Sequence, residues 1–348
     1  MKTNAEKTTE PAQQKTARRR EAWPDQLKGI LILSVVIGHI LPGPYNTLDN
    51  PASYIFLFHL PAFFIISGYL ARNDSRPFGQ SILRRTKRIL VPYLVYVLLI
   101  AGGQIVYAML HGYNTKRYLN KKIPGMLLGG QDLNQFFCGA LWFLTAMFVA
   151  SVLFYAIEKL LPKTPLRIAA YLLLWIAAHV EAIWFIKDTG PTPWLWDVGI
   201  IGCCYMGMGK YLKDWFFHKY ACAASAAVLA ILLALRLLKV SGYLNGFAIE
   251  LWSHTNKYPV LDFAVPLAGF ILLANLAKVI PAKYAGAALS DIGRYTIPIM
   301  ALHQSIIQIL LVNGITNYLV LWVAAAGLPY LIGKFVIAKL KPLRLLLM

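Results

Sequence analysis

The chain has 348 residues, 58% hydrophobic and only 14% charged, with a formal net charge of +19. A soluble domain carries about a quarter charged residues, so this composition excludes an ordinary soluble fold. The repeated apolar runs predict an all-α, polytopic membrane helix bundle. Nucleic acid is not the partner that the positive charge implies: no basic soluble domain or aromatic RNA-binding motif occurs, and Lys and Arg in such a chain mark cytoplasmic loops.

Residues 1–22 are polar and basic and are expected to form a disordered tail; residues 23–348 form the membrane domain. The tail and first apolar stretch do not read as a cleaved signal peptide, because that stretch holds Lys28 and His39 and ends in Pro42-Gly43-Pro44. It is expected to stay as a helix. Ten spans follow from the apolar pattern: 27–42, 53–71, 88–111, 139–160, 166–187, 194–212, 220–240, 258–280, 288–312 and 316–339. An even count puts both termini on one side. Twenty-four of the 34 Lys and Arg fall in the tail and the loops of that side, against eight on the other, which predicts cytoplasmic termini. The long outer loop 112–138 contains Gly129-Gly130 and is expected to be a lid or a re-entrant piece. No internal repeat of the inverted-transporter kind is visible. Cys138, Cys203, Cys204 and Cys222 lie in or beside apolar segments with neither metal nor disulfide spacing, and no metal is expected.

Ionisable residues within apolar spans are costly, and a functional role is the first hypothesis for them. Lys28 and His39 are eleven residues apart in the first span, three helical turns plus about 20°, so both lie on one helix face about 16 Å apart. His59 shares a face of the second span with Phe63 and Ser67. Arg72 follows that span. Arg84, Arg85 and Arg88 stand at i, i+1 and i+4 before the third. Trp142 heads the fourth, Glu181 and Asp197 lie toward the outer ends of the fifth and sixth, and His303 falls mid-membrane in the ninth. No Gly-rich phosphate loop, Gly-x-Ser-x-Gly elbow or metal-ligand cluster occurs.

The segments DQLKGILILSVVIGH, FHLPAFFIISGYLAR, LRRTKRILVPYLVY, GALWFLTAMF and DIGRYTIPIMALHQSI, in this order, resemble the membrane-bound acyltransferase family three, and most of all its fucose O-acetylase-like branch. The family has a basic residue separated by ten intervening residues from a histidine in span one, the pattern of Lys28 and His39, and a Phe-Phe-x-x-Ser-Gly-Tyr stretch matched by Phe63 to Tyr69. The resemblance implies an integral membrane O-acetyltransferase of a bacterial inner membrane. Its donor would be acetyl-CoA, a substrate rather than a resident cofactor. Its acceptor would be a hydroxyl of a cell-envelope or exported glycan, or of a lipid-linked sugar.

On that reading His39 is expected to be the general base or to carry the acyl group covalently. Lys28 is expected to bind a donor phosphate or to line a cytoplasmic tunnel mouth, the alternative being a snorkelling interfacial lysine. Arg72, Arg84, Arg85 and Arg88 suit coenzyme A phosphates or anchor the topology. His59, Ser67, Trp142 and His303 are expected to hold the acceptor or support the site, and Glu181 or Asp197 to orient His39. The rival reading is a transporter or flippase with Lys28, His39 and His303 along its path.

Overall fold

The computed structural model describes residues 21–41, 52–112, 125, 128–129, 138–184, 192–237, 249, 251 and 257–348. The basic tail and most of the outer loop 112–138 lie outside the described residues. The regular elements among them are all helical: α1 (Trp23–Ile40), α2 (Ala52–Ile55), α3 (His59–Tyr69), α4 (Phe78–Arg85), α5 (Val91–Leu110), α6 (Trp142–Leu160), α7 (Thr164–Trp184), α8 (Trp196–Tyr211), α9 (Ala221–Leu237), α10 (Pro259–Val279), α11 (Ala285–Ile292), α12 (Thr296–Val312), α13 (Tyr318–Ile332) and α14 (Lys341–Leu347). Six stretches are long and apolar enough to cross a membrane, and a seventh if α11 and α12, bent by 81°, form one span. Their outward faces are greasy. On α5, Leu94, Leu98, Leu99, Met109 and Leu110 are exposed, and on α7 Leu172, Leu173 and Ile176; such continuous apolar surface belongs against lipid. The protein is a multi-pass membrane bundle.

α1 is the axial helix. It packs against α3, α10, α11, α12 and α13, and Leu27, Leu31, Ile32, Val35 and Val36 are buried. Its own length is sealed in protein, which explains how it tolerates Asp25, Lys28 and His39.

Among the described residues α1, α8 and α9, the expected first, sixth and seventh spans, fall outside the set of stretches long and apolar enough to cross a membrane; three further expected spans have a different form, and proline accounts for two of them. The second breaks after Ile55 and restarts at His59. In an unbroken helix the Pro61 ring would meet the Leu57 carbonyl, so the break falls just before it and leaves His59 at the head of α3. The third begins at Phe78 rather than 88: α4 runs through a π-helical turn, Thr86–Leu90, into α5. Pro92 cannot donate to the Arg88 carbonyl, and the helix widens there. The ninth is the bent pair, turning at Gly293, where an added Cβ would collide with the Asp25 carbonyl of α1.

Close backbone approach also fixes α3 against α8. A Cβ on Gly68 would overlap the Met206 carbonyl, so the Ser67-Gly68-Tyr69 motif needs its glycine for packing. Gly68→Ala is expected to cost roughly 1–3 kcal/mol, as overpacking does. The control is Gly79→Ala, where nothing lies within 4 Å of the new Cβ. Thermal unfolding of both variants in detergent checks this: a Tm drop for the first and none for the second is expected.

Candidate active site

α1, α3, α6 and α12 enclose a cavity of about 570 Å³ whose wall includes Lys28, His39, His59, Ser67, Trp142 and Gln304. Lys28 and His39 thus face one space, as their helical spacing requires. Lys28 is held to Asp25 at 2.6 Å, one turn away on its own helix. His39 is half-buried, whereas His59 and His303 are buried. The His303 ring lies behind His39, centroids 5.1 Å apart, with its Nε2 sealed from solvent and unbonded.

A second cavity, of about 900 Å³, is lined by Arg72, Arg76, Arg84, Arg85, Arg88, Arg167, Lys159 and Lys210, with Asp74 and Glu158. Ser67, Arg88, Ile89, Ser151 and Met206 belong to both walls. The basic vestibule and the histidine chamber are therefore adjoining spaces, with Arg88 at their junction. The π turn that carries Arg88 is a form often found at functional sites.

The vestibule cations differ in what they already hold. Arg76 makes two bonds to Asp74, at 2.8 and 3.0 Å, and Ser81 Oγ donates to the same carboxylate at 2.9 Å. The Arg76 hydrogen bond, aided by Ser81, holds the Asp74 carboxyl well below the usual carboxylate range. Its stabilising contribution is present above the unfolded carboxylate value and is lost only as pH falls through the depressed folded one, so this clamp does not titrate near neutrality. Arg85 lies 4.3 Å from the Tyr155 ring centre and 3.7 Å from Asp74. Lys210 and Arg167 pair with Glu158. Arg72, Arg84 and Arg88 are exposed and have no ion-pair partner among the described residues, which leaves them available to an anion.

Two acidic expectations do not fit this geometry. Glu181 and Asp197 line neither cavity; Asp197 accepts a hydrogen bond from Thr192. The side chain bonded to His39 is Gln304, 3.3 Å from Nδ1. Sequence reasoning passed over it because an amide does not titrate. The available signal was a polar residue next to His303 in an otherwise apolar helix. Among the described residues, no cluster of three His, Cys, Asp or Glu can hold a metal.

The family model for acyltransferase family three, an acyltransferase domain, matches residues 21–338. The chain belongs to this family. It is 29% identical to nodulation protein NolL of Sinorhizobium fredii over 50% of this chain and 47% of that one. It is 30% identical to NolL of Mesorhizobium japonicum over 37% and 34%, and 35% identical to inner membrane protein YcfT of Escherichia coli over 20% and 24%. The chain thus spans about half the length, or less, of these relatives. No solved structure matches it.

If the vestibule takes the phosphates of an acyl-CoA, Arg88→Ala is expected to weaken acetyl-CoA binding, measured by calorimetry on detergent-purified protein, and to flatten its dependence on salt, because one screened phosphate contact would be gone. Unchanged affinity in a folded variant would return Arg88 to a purely topological role.

Proposed function

We propose that this protein is an integral membrane O-acyltransferase that moves an acetyl group from acyl-CoA to a hydroxyl of an envelope or exported glycan. The observation that carries the reading is the shared wall of the two cavities. The vestibule offers unpaired guanidinium groups suited to coenzyme A phosphates. The chamber beside it offers imidazoles, whose ring nitrogens can accept or donate a proton. The donor would lie in the vestibule with its thioester reaching past Arg88 and Ser67 toward His39. The acceptor would occupy the chamber near His59 and Trp142. Lys28, paired with Asp25, would stiffen the inner end of the chamber rather than hold phosphate directly. Membership of the acyltransferase family supports the group-transfer chemistry, and the name of YcfT supports an inner membrane.

The reading includes ten spans with both termini in the cytoplasm. Single cysteines in a cysteine-free background should then label from outside at Asn313, and only after permeabilisation at Ser75 and Lys341. Outside labelling of Lys341 would overturn it.

The activity test is acetyl transfer and coenzyme A release by purified protein with radioactive acetyl-CoA and an extracted envelope glycan. Wild type should turn over, with a rate that rises with pH as neutral imidazole forms. His39→Ala should bind acetyl-CoA and lose at least about 10²-fold in rate, whether the ring moves a proton or stabilises the oxyanion. Near wild-type turnover by that variant would remove the chamber from the mechanism.

A further inference from the structure

A histidine in a helix commonly finds its own i−4 carbonyl. A carbonyl only accepts, so the bond puts the proton on Nδ1 and leaves Nε2 with a lone pair. His59 does this with Ile55 at 2.7 Å, His179 with Trp175 at 2.8 Å and His303 with Ile299 at 2.9 Å. His39 departs from the rule. Its Nδ1 meets the Gln304 side-chain nitrogen. The amide cannot be turned round, because Gln304 Oε1 accepts the Ala140 backbone N–H at 3.0 Å, and a backbone N–H can only donate. Gln304 Nε2 therefore donates to His39 Nδ1, and neutral His39 carries its proton on Nε2. Two imidazoles on one cavity wall consequently have opposite polarity: His59 offers a lone pair at Nε2, and His39 offers an N–H.

We infer that His59, not His39, takes the acceptor's proton, that His39 Nε2–H binds the thioester carbonyl oxygen, and that Gln304 is the positioning residue that sets this polarity. The inference rests on the acyl-transfer reading above. In the step, the acceptor O–H bond breaks and its proton passes to His59 Nε2. The oxygen pair forms the new C–O bond at the thioester carbon. The carbonyl π pair moves onto oxygen, where His39 Nε2–H holds it, as a preorganised donor should. On collapse the C=O bond reforms, the C–S bond breaks, and the coenzyme A thiolate takes the proton from His59. No other reactant is needed. The remaining titratable groups at this wall are Lys28 and Arg88, with His303 behind. Neither Lys28 nor Arg88 serves as a base, because Lys28 is an ion-paired ammonium and a guanidinium does not deprotonate in proteins.

Two measurements on the full-length protein in detergent test the inference. The first needs no substrate: nitrogen-15 NMR of labelled histidines, with His39 assigned by its loss in His39→Gln. His39 is expected to be protonated at Nε2 in wild type. Gln304→Glu keeps an oxygen for Ala140 but presents a carboxylate to Nδ1, so its spectrum should gain a proton at Nδ1. A wild-type His39 protonated at Nδ1 alone would overturn the assignment.

The second is the pH–rate profile. His59→Gln has no base and should lose about 10²–10⁴-fold together with the rise in rate with pH. His39→Gln keeps an N–H close to the lost Nε2–H, so it should retain the pH rise and exceed His39→Ala by at least about tenfold. The reverse pattern, with the pH rise gone from His39→Gln and kept in His59→Gln, would give the base back to His39. Absence of turnover in wild type would instead reject the acyl-transfer reading, while the NMR result would still decide the tautomer. If His59→Gln does not fold, the NMR result and the comparison of His39→Gln with His39→Ala decide the inference between them.

Discussion

A polar side chain inside a membrane bundle is stable only where it meets a partner or a cavity. α1 is built under that constraint. Around its axis Leu27, Leu31, Ile32 and Val36 are fully packed, while Lys28 and His39 emerge into one cavity. The neighbours then have to supply what α1 lacks. α12 supplies Gln304, the turn before α6 supplies the Ala140 N–H, and α3 supplies His59 and Ser67. Close contacts set how near these elements come: Gly29 lies against the Leu289 backbone and Gly68 against that of Met206. The site is assembled from helices whose backbones touch, and its geometry is correspondingly rigid.

The same constraint separates the two halves of the site. A highly charged donor cannot lie in an apolar chamber without a large desolvation cost. Here the charge is concentrated in the vestibule, and the chamber wall is largely apolar, with Val35, Phe63, Phe143 and Met147. On the acyl-transfer reading, the neutral acyl end of the thioester would be the part of the donor that enters the chamber. Arg88, at the junction, is carried on the π turn imposed by Pro92.

Much of this was legible in the sequence, and the reasons differ by element. The stripe of Lys28 and His39 followed from helical periodicity, because a period of 3.6 residues depends only on the chain itself. The helical class followed from the apolar run lengths. The breaks before His59 and at Gly293 arise from one proline and one glycine whose effect depends on their neighbours, so a hydropathy reading joins the segments into single spans. The π turn is equally invisible, because Thr86 to Leu90 carries no pattern of its own. The partner of His39 was missed for a chemical reason. A search for carboxylates beside a histidine assumes that the ring must act as a base, and it selected Glu181 and Asp197. An amide held by a backbone N–H gives the opposite polarity and leaves no charge signature.

That polarity has a wider consequence for the bundle. A carboxylate beside His39 would place a formal charge in a chamber walled by Phe56, Phe63 and Phe143, at the desolvation cost that buried charges carry. Gln304 fixes the ring with dipoles alone. Likewise His59 is oriented by the Ile55 carbonyl at the end of α2 rather than by an acid. Among the described residues, the buried histidine paired with a carboxylate is His179, 3.1 Å from Asp262, and neither lines the chamber. Its Nδ1 already donates to the Trp175 carbonyl. Placed in the chamber, such a pair would set a carboxylate beside the substrate, at the desolvation cost of a buried charge. Placed between α7 and α10, it ties two helices together and leaves the chamber's proton traffic to its own two imidazoles.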